Sequence, residues 1–117
     1  MELRKTEAKA IQRGLEKLGL YTKAIDGDLG PNSQTAVNAY LMANANRLPD
    51  GFQGWSNKRK FVACLQMLSL DAGFDPGVID GWMGTNTRNA ATLYVSSLDG
   101  LQIFNVLDFE PIDGKPK

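Results

Sequence analysis

The sequence contains no histidine and a single cysteine, Cys64. Without histidine, these residues cannot form a Ser-His-Asp or Cys-His catalytic site or the usual zinc hydrolase site. One cysteine excludes an intrachain disulfide and a cysteine-based metal cluster. Because Cys64 lies in an apolar segment with helical spacing, we interpret it as a small buried thiol rather than a nucleophile. We therefore expect that this chain is not an enzyme and uses no metal or cofactor.

Net charge and long apolar runs are also missing. The 13 basic residues are balanced by 13 acidic ones, which removes the electrostatic basis for binding nucleic acid or an anionic membrane. No apolar stretch is long enough to span a bilayer, and the charged N-terminus lacks the apolar run of a secretory signal. We expect a monomer that is synthesised in the cytoplasm without a signal peptide, with neither nucleic acid nor membrane as a partner.

Apolar residues recur at helical spacing in four segments, which predicts an all-α fold. In the first segment Ala8, Ile11, Leu15 and Leu18 form one stripe, and Thr6 is a candidate N-cap. The third segment is apolar around most of its circumference, as far as Leu70, so we expect it to pack on more than one side. The predicted helices cover roughly residues 5–18, 31–46, 56–72 and 85–97.

The loop between the first two segments recurs between the last two. An offset of 54 residues aligns positions 11–40 with 65–94 without a gap, and nine of the thirty pairs are identical. Each loop contains Ile-Asp-Gly followed by a further glycine. We predict that each aspartate accepts backbone hydrogen bonds in an Asx-type turn and that the glycines allow the chain to reverse. The predicted turn residues are Asp26, Gly27, Gly30, Asp80, Gly81 and Gly84.

An internal repeat of this length indicates one supersecondary unit used twice. We predict two fused three-helix bundles that share a central helix. The first unit covers residues 1–55 and the second covers 56–108, with helix 56–72 common to both. Residues 101–107 are a candidate fifth helix that completes the second bundle. The polar, proline-bearing residues 109–117 are a tail or linker.

These motifs resemble the peptidoglycan-binding domain 1-like repeat, a small three-helix module that binds the bacterial cell wall. The first copy matches through an apolar-Gln pair at 11–12, Leu-Gly-Leu-Tyr at 18–21, the Asp-Gly loop at 25–31 and a second Asp-Gly turn at 50–54. The second copy departs from the pattern at Asp75, where the family has tyrosine, and its second Asp-Gly is absent or displaced to residues 113–114. The resemblance covers roughly residues 8–98.

The resemblance implies an all-α, non-catalytic module that binds peptidoglycan and concentrates an attached or separate hydrolase on it. Two such repeats ahead of a catalytic domain look like the N-terminal part of modular bacteriophage endolysins, which act in host cell lysis. The implied place of action is the cell wall, in the periplasm, after release. The alternative is that the scaffold has become a protein-interaction or inhibitory module.

The loops also supply the candidate ligand-binding residues. Asp26 and Asp80 could in principle act as paired catalytic carboxylates. Each is also expected to stabilise its own turn, and we favour that structural role. The position after Asp-Gly differs between the copies, with Asp28 in the first and Trp82 in the second. Trp82 is either a platform on which sugars stack or a ring packed over a helix end.

Other candidates for peptidoglycan contact lie beside the loops. Tyr21 is expected to be a partly buried ring with its hydroxyl in solvent. Four polar residues fall in the first turns of the second and fourth helices, where they either contact acetamido groups and stem-peptide carboxylates or form solvated helix faces. They are Asn32, Gln34, Asn86 and Arg88, of which Arg88 is the better carboxylate partner.

Overall fold

The computed structural model describes residues 3–98, and all the regular secondary structure in this part of the chain is helical, which confirms the all-α prediction. Four α-helices carry the fold, and two short 3-10 helices, Ala45–Arg47 and Phe52–Gly54, lie between the second and third. None of the helices in residues 3–98 combines the length and the apolar character needed to cross a membrane. The four are α1 (Lys5–Lys17), α2 (Pro31–Ala43), α3 (Asn57–Asp71) and α4 (Thr85–Ser97).

Most helix ends follow from local sequence signals. Ser56 caps α3 by accepting a hydrogen bond from the backbone N–H of Arg59 at 3.2 Å, and Pro31 occupies the first position of α2. The predicted Thr6 cap of α1 is wrong, because the helix is capped two residues earlier in the chain. Its N-cap is Arg4, whose backbone N–H donates to the carboxylate of Glu7 at 2.8 Å.

The core is built around α3, which is buried from Phe61 through Ser69 and packs against α1, α2 and α4. This confirms that α3 packs on more than one side. A helix shared by two bundles must have such contacts. The division into two three-helix units stays a prediction, and its fifth helix at 101–107 and the tail at 109–117 lie outside the described residues.

Two leucines expected in the core are exposed instead. Leu18 is 54% exposed because α1 ends at Lys17 and the chain turns away at this residue. Leu70 lies in the last turn of α3, beyond the buried stretch, and also faces solvent. Both residues sit at helix ends, where helical periodicity stops predicting which way a side chain points.

A polar cluster joins the C-terminal ends of α2 and α3. The guanidinium of Arg47 makes a two-pronged contact with the carboxylate of Asp71, at 2.7 and 3.2 Å. The hydroxyl of Tyr40 donates to the same carboxylate at 3.3 Å. Burial is the main cause that raises the pKa of Tyr40 above its ordinary value, with the nearby Cys64 and Asp71 adding to it.

Candidate functional site

The first Asp-Gly loop is organised by Gln12, a fully buried residue of α1. Its side-chain oxygen accepts the backbone N–H of Gly27 at 2.8 Å. Its amide nitrogen lies 3.2 Å from Asp26 Oδ1 and 3.0 Å from the carbonyl oxygen of Asp28. One buried amide therefore holds the loop both by its donor and by its acceptor, which fixes the loop against the helix.

Asp26 stabilises the same loop from inside the turn. Its Oδ1 accepts the backbone N–H of Asp28 at 2.9 Å, as the Asx-turn prediction requires. That hydrogen bond, followed by the one from Gln12, lowers the pKa of Asp26 below its ordinary value of 3.8. Gly27 follows with φ +78°, a left-handed conformation that favours glycine.

The second loop repeats this network around Gln66 of α3. The Gln66 side-chain oxygen accepts the N–H of Gly81 at 2.8 Å, and its nitrogen donates to Asp80 Oδ1 at 3.2 Å and to Thr87 Oγ1 at 2.9 Å. Asp80 Oδ1 in turn accepts the N–H of Trp82 at 2.9 Å. The sequence repeat is therefore a repeat of hydrogen bonds, and each aspartate is engaged in its own turn.

Sequence reasoning found the aspartates and glycines but assigned no role to the two glutamines. The sequence did contain a signal for this role. Both copies have glutamine at the same position, and each glutamine directly follows a core residue, Ile11 in the first copy and Leu65 in the second. A polar residue repeated inside a buried helical segment indicates a satisfied hydrogen-bonding role.

The two loops differ in what they present to solvent. Asp28 is an exposed carboxylate, whereas the indole of Trp82 is 60% exposed. The guanidinium carbon of Arg59 lies 4.3 Å from the Trp82 ring centroid and 3.8 Å from that of Trp55, so the cation is stacked between two indoles. Arg59 Nε also donates to the carbonyl oxygen of Asp80 at 2.9 Å.

These contacts support Trp82 on one side and leave the rest of its ring accessible. Of the two interpretations of this residue, a solvent-facing platform describes the geometry better than a ring buried over a helix end. The support comes from Arg59 and Trp55, neither of which was a predicted site residue. Both lie on a different segment, so their proximity to Trp82 depends on how α3 packs against the loop.

A groove of about 390 Å³ runs beside Trp82. It brings together two of the predicted ligand-binding residues, Trp82 and Asn86. Its other walls come from the loop and the first turn of α4, and the remaining lining residues are Pro76, Gly77, Val78, Asp80, Met83, Gly84, Thr85 and Thr87. The lining offers an aromatic ring, an amide, hydroxyls and one carboxylate.

Arg88 does not line this groove. Its Nε lies 3.1 Å from Glu7 Oε2, and the Glu7 side chain is only 2% exposed. The contact is an ion pair without an aligned hydrogen bond between these two atoms. Arg88 therefore ties α4 to α1, and its guanidinium already faces a carboxylate of the chain itself.

The remaining candidates lie at the first loop. Tyr21 is 5% exposed, and its hydroxyl donates to the carbonyl oxygen of Ala24 at 2.7 Å, so it is more deeply buried than expected. Asn32 is exposed and Gln34 is half-buried, both in the first turn of α2. With Asp28, these residues lie on or beside the first loop, which carries no tryptophan.

Comparison with known proteins finds no match, whether the chain is set against protein-family models, curated proteins or solved structures. The site is therefore interpreted from its own chemistry. Within residues 3–98, no group of three or more His, Cys, Asp or Glu side chains is placed to hold a metal ion. The arrangement around Trp82 suits non-covalent recognition by stacking and hydrogen bonding.

Proposed function

We propose that the chain is a non-catalytic peptidoglycan-binding module that brings an attached or separate peptidoglycan hydrolase, such as a phage endolysin, to the cell wall. The proposal is supported by the motif resemblance and by the repeated Gln-Asp-Gly network. The observation that carries it is the exposed indole of Trp82, supported from one side and bordered by a groove. Binding of this kind raises the local concentration of a hydrolase on an insoluble substrate without contributing chemistry.

Co-sedimentation with purified Gram-negative sacculi tests the proposal. The wild-type chain is expected to pellet with sacculi at low and moderate salt, because its binding residues include few charges. The Trp82→Ala variant is expected to remain largely in the supernatant. Leu93→Ala is the matched control, since Leu93 is an exposed apolar residue of α4 that does not line the groove. Absence of wild-type binding would refute the proposal.

Arg88→Ala is a poor test of wall binding, because its loss removes the cation that faces buried Glu7. A turbidity assay on outer-membrane-permeabilised cells serves as a separate check of the non-catalytic assignment. The chain alone is expected to leave the turbidity unchanged. Clearing of the suspension by the pure chain would contradict that assignment.

A second candidate is a protein-interaction or inhibitory module. It is favoured by the apolar border of the groove, where Val78 is 72% exposed beside Trp82. This function predicts no retention on sacculi and inhibition of a purified peptidoglycan hydrolase at a fixed stoichiometry. The co-sedimentation and inhibition assays together separate the two candidates.

A further inference from the structure

We infer that the groove beside Trp82 recognises the neutral N-acetylated glycan strand of the wall rather than its carboxylate-bearing stem peptide. This inference rests on the proposed function and names the part of the polymer that the site takes. It also assigns the binding to the second loop, since the equivalent position of the first loop carries Asp28.

The first step is the orientation of the indole. Two hydrogen bonds fix the Trp82 backbone. Its N–H donates to Asp80 Oδ1 at 2.9 Å, and its carbonyl oxygen accepts from Gln66 Nε2 at 3.2 Å. Arg59 stacks on the ring at 4.3 Å. A ring held at both its backbone and one side loses little conformational freedom on binding, which favours stacking of a flat apolar ligand surface. The C–H face of a pyranose is such a surface.

The second step is the polar group next to the ring. Asn86 lines the same groove and is exposed at the second position of α4. A carboxamide both donates and accepts hydrogen bonds, as the acetamido group of an N-acetylated sugar does. The pairing of an aromatic ring with an adjacent amide therefore matches a sugar that carries an N-acetyl substituent.

The third step is the charge of the lining. Among residues 3–98, Asp80 is the only ionisable residue that lines the groove, and its carboxylate disfavours a ligand that carries carboxylates. Neither nearby guanidinium lines this groove. Arg59 stacks on the Trp82 ring and on Trp55 and donates to the Asp80 carbonyl oxygen, and Arg88 faces Glu7. A neutral glycan meets no such repulsion.

The test is an NMR titration of the full chain with two probes. One is the neutral oligosaccharide tetra-N-acetylchitotetraose, and the other is a synthetic stem tetrapeptide with free carboxylates. The oligosaccharide is expected to shift the Trp82 indole N–H and the Asn86 side-chain amide in a saturable way, and the peptide is expected to leave both unchanged. Trp82→Ala is expected to raise the dissociation constant about tenfold, equivalent to about 1.4 kcal/mol. Asp28→Ala, at the matching position of the first loop, should leave it unchanged.

The outcomes separate this inference from the proposed function. Shifts at Trp82 with the peptide alone overturn the inference, and so does a lack of shifts with either probe in a chain that still pellets with sacculi. Shifts with the oligosaccharide in a chain that fails to pellet support glycan recognition and refute wall binding. An equal loss of affinity in Asp28→Ala overturns the assignment to the second loop.

Discussion

Replacing Gly81 with alanine should destabilise the protein much more than the same change at Gly27, although the two glycines occupy equivalent positions. Both have φ +78°, so both variants incur the cost of a left-handed alanine, about 1–2 kcal/mol. The difference lies in what the added methyl group meets. At Gly27 it would lie 2.9 Å from Cγ of Lys5, an exposed side chain that is able to move.

At Gly81 the methyl group would lie 2.8 Å from the backbone oxygen of Arg59 and 2.5 Å from its Cγ, with the Trp55 ring at 3.1 Å. A backbone oxygen in a helix cannot move aside without shifting α3. Overpacking of this kind adds about 1–3 kcal/mol to the cost of the left-handed alanine. We therefore expect Gly27→Ala to lose about 1–2 kcal/mol of unfolding free energy and Gly81→Ala to lose about 2–5 kcal/mol.

Urea denaturation followed by circular dichroism measures both values. A gap of about 2 kcal/mol corresponds to a difference in Tm of roughly 8–16 °C for a domain of about 100 residues. Gly19→Ala and Gly73→Ala are the control pair, since both glycines have positive φ and an added methyl group meets nothing within 4 Å. Equal losses at Gly27 and Gly81, or a larger loss at Gly27, would refute the reasoning.

Three further predictions concern charged and reactive groups. Because the pKa of Asp26 is lowered in the folded state, its contribution to stability is present above about pH 4 and is lost as the pH falls through the folded-state pKa. The urea midpoints of wild type and Asp26→Asn should therefore converge at low pH. A difference between the two midpoints that stays constant with pH would contradict this. Arg88→Gln leaves the buried Glu7 carboxylate without its cation and should cost about 3–5 kcal/mol, while adding Glu7→Gln should restore part of that loss in the same unfolding assay. Burial raises the pKa of the Cys64 thiol, so the rate at which a thiol reagent labels it should not exceed the rate at which the chain unfolds in urea. Rapid labelling of the folded protein would show that the thiol is accessible.

Local signals in the sequence located the four helices and the two Asp-Gly loops, although the predicted Thr6 cap of α1 was wrong. Ser56 caps α3 and Pro31 begins α2, at the starts of the predicted ranges, because caps and prolines act through the backbone of their own turn. The repeated Asp-Gly predicted two equivalent turns, which the hydrogen bonds of Asp26 and Asp80 confirm. Each of these features depends on residues that are close in sequence.

The candidate site was only partly predictable. Trp82 and Asn86 were expected near each other because they are only four positions apart in sequence, and they line one groove. For Arg88 the sequence left open a ligand contact or a solvated helix face, whereas in the structure it contacts Glu7, which lies in a helix 81 positions earlier in the chain. No local pattern could reveal that contact, because it exists only when α4 packs against α1.

The sequence by itself determined that the chain is helical, that one loop is used twice, and that the copies differ at Asp28 and Trp82, since these properties follow from periodicity, turn chemistry and repetition. The tertiary structure alone decided which side chains become structural and which remain available for a ligand. Arg59 reaches Trp82 because the second loop folds back on the start of α3. The physical reason is that such contacts depend on the angles at which helices cross, and those angles are set by the packing of the whole core.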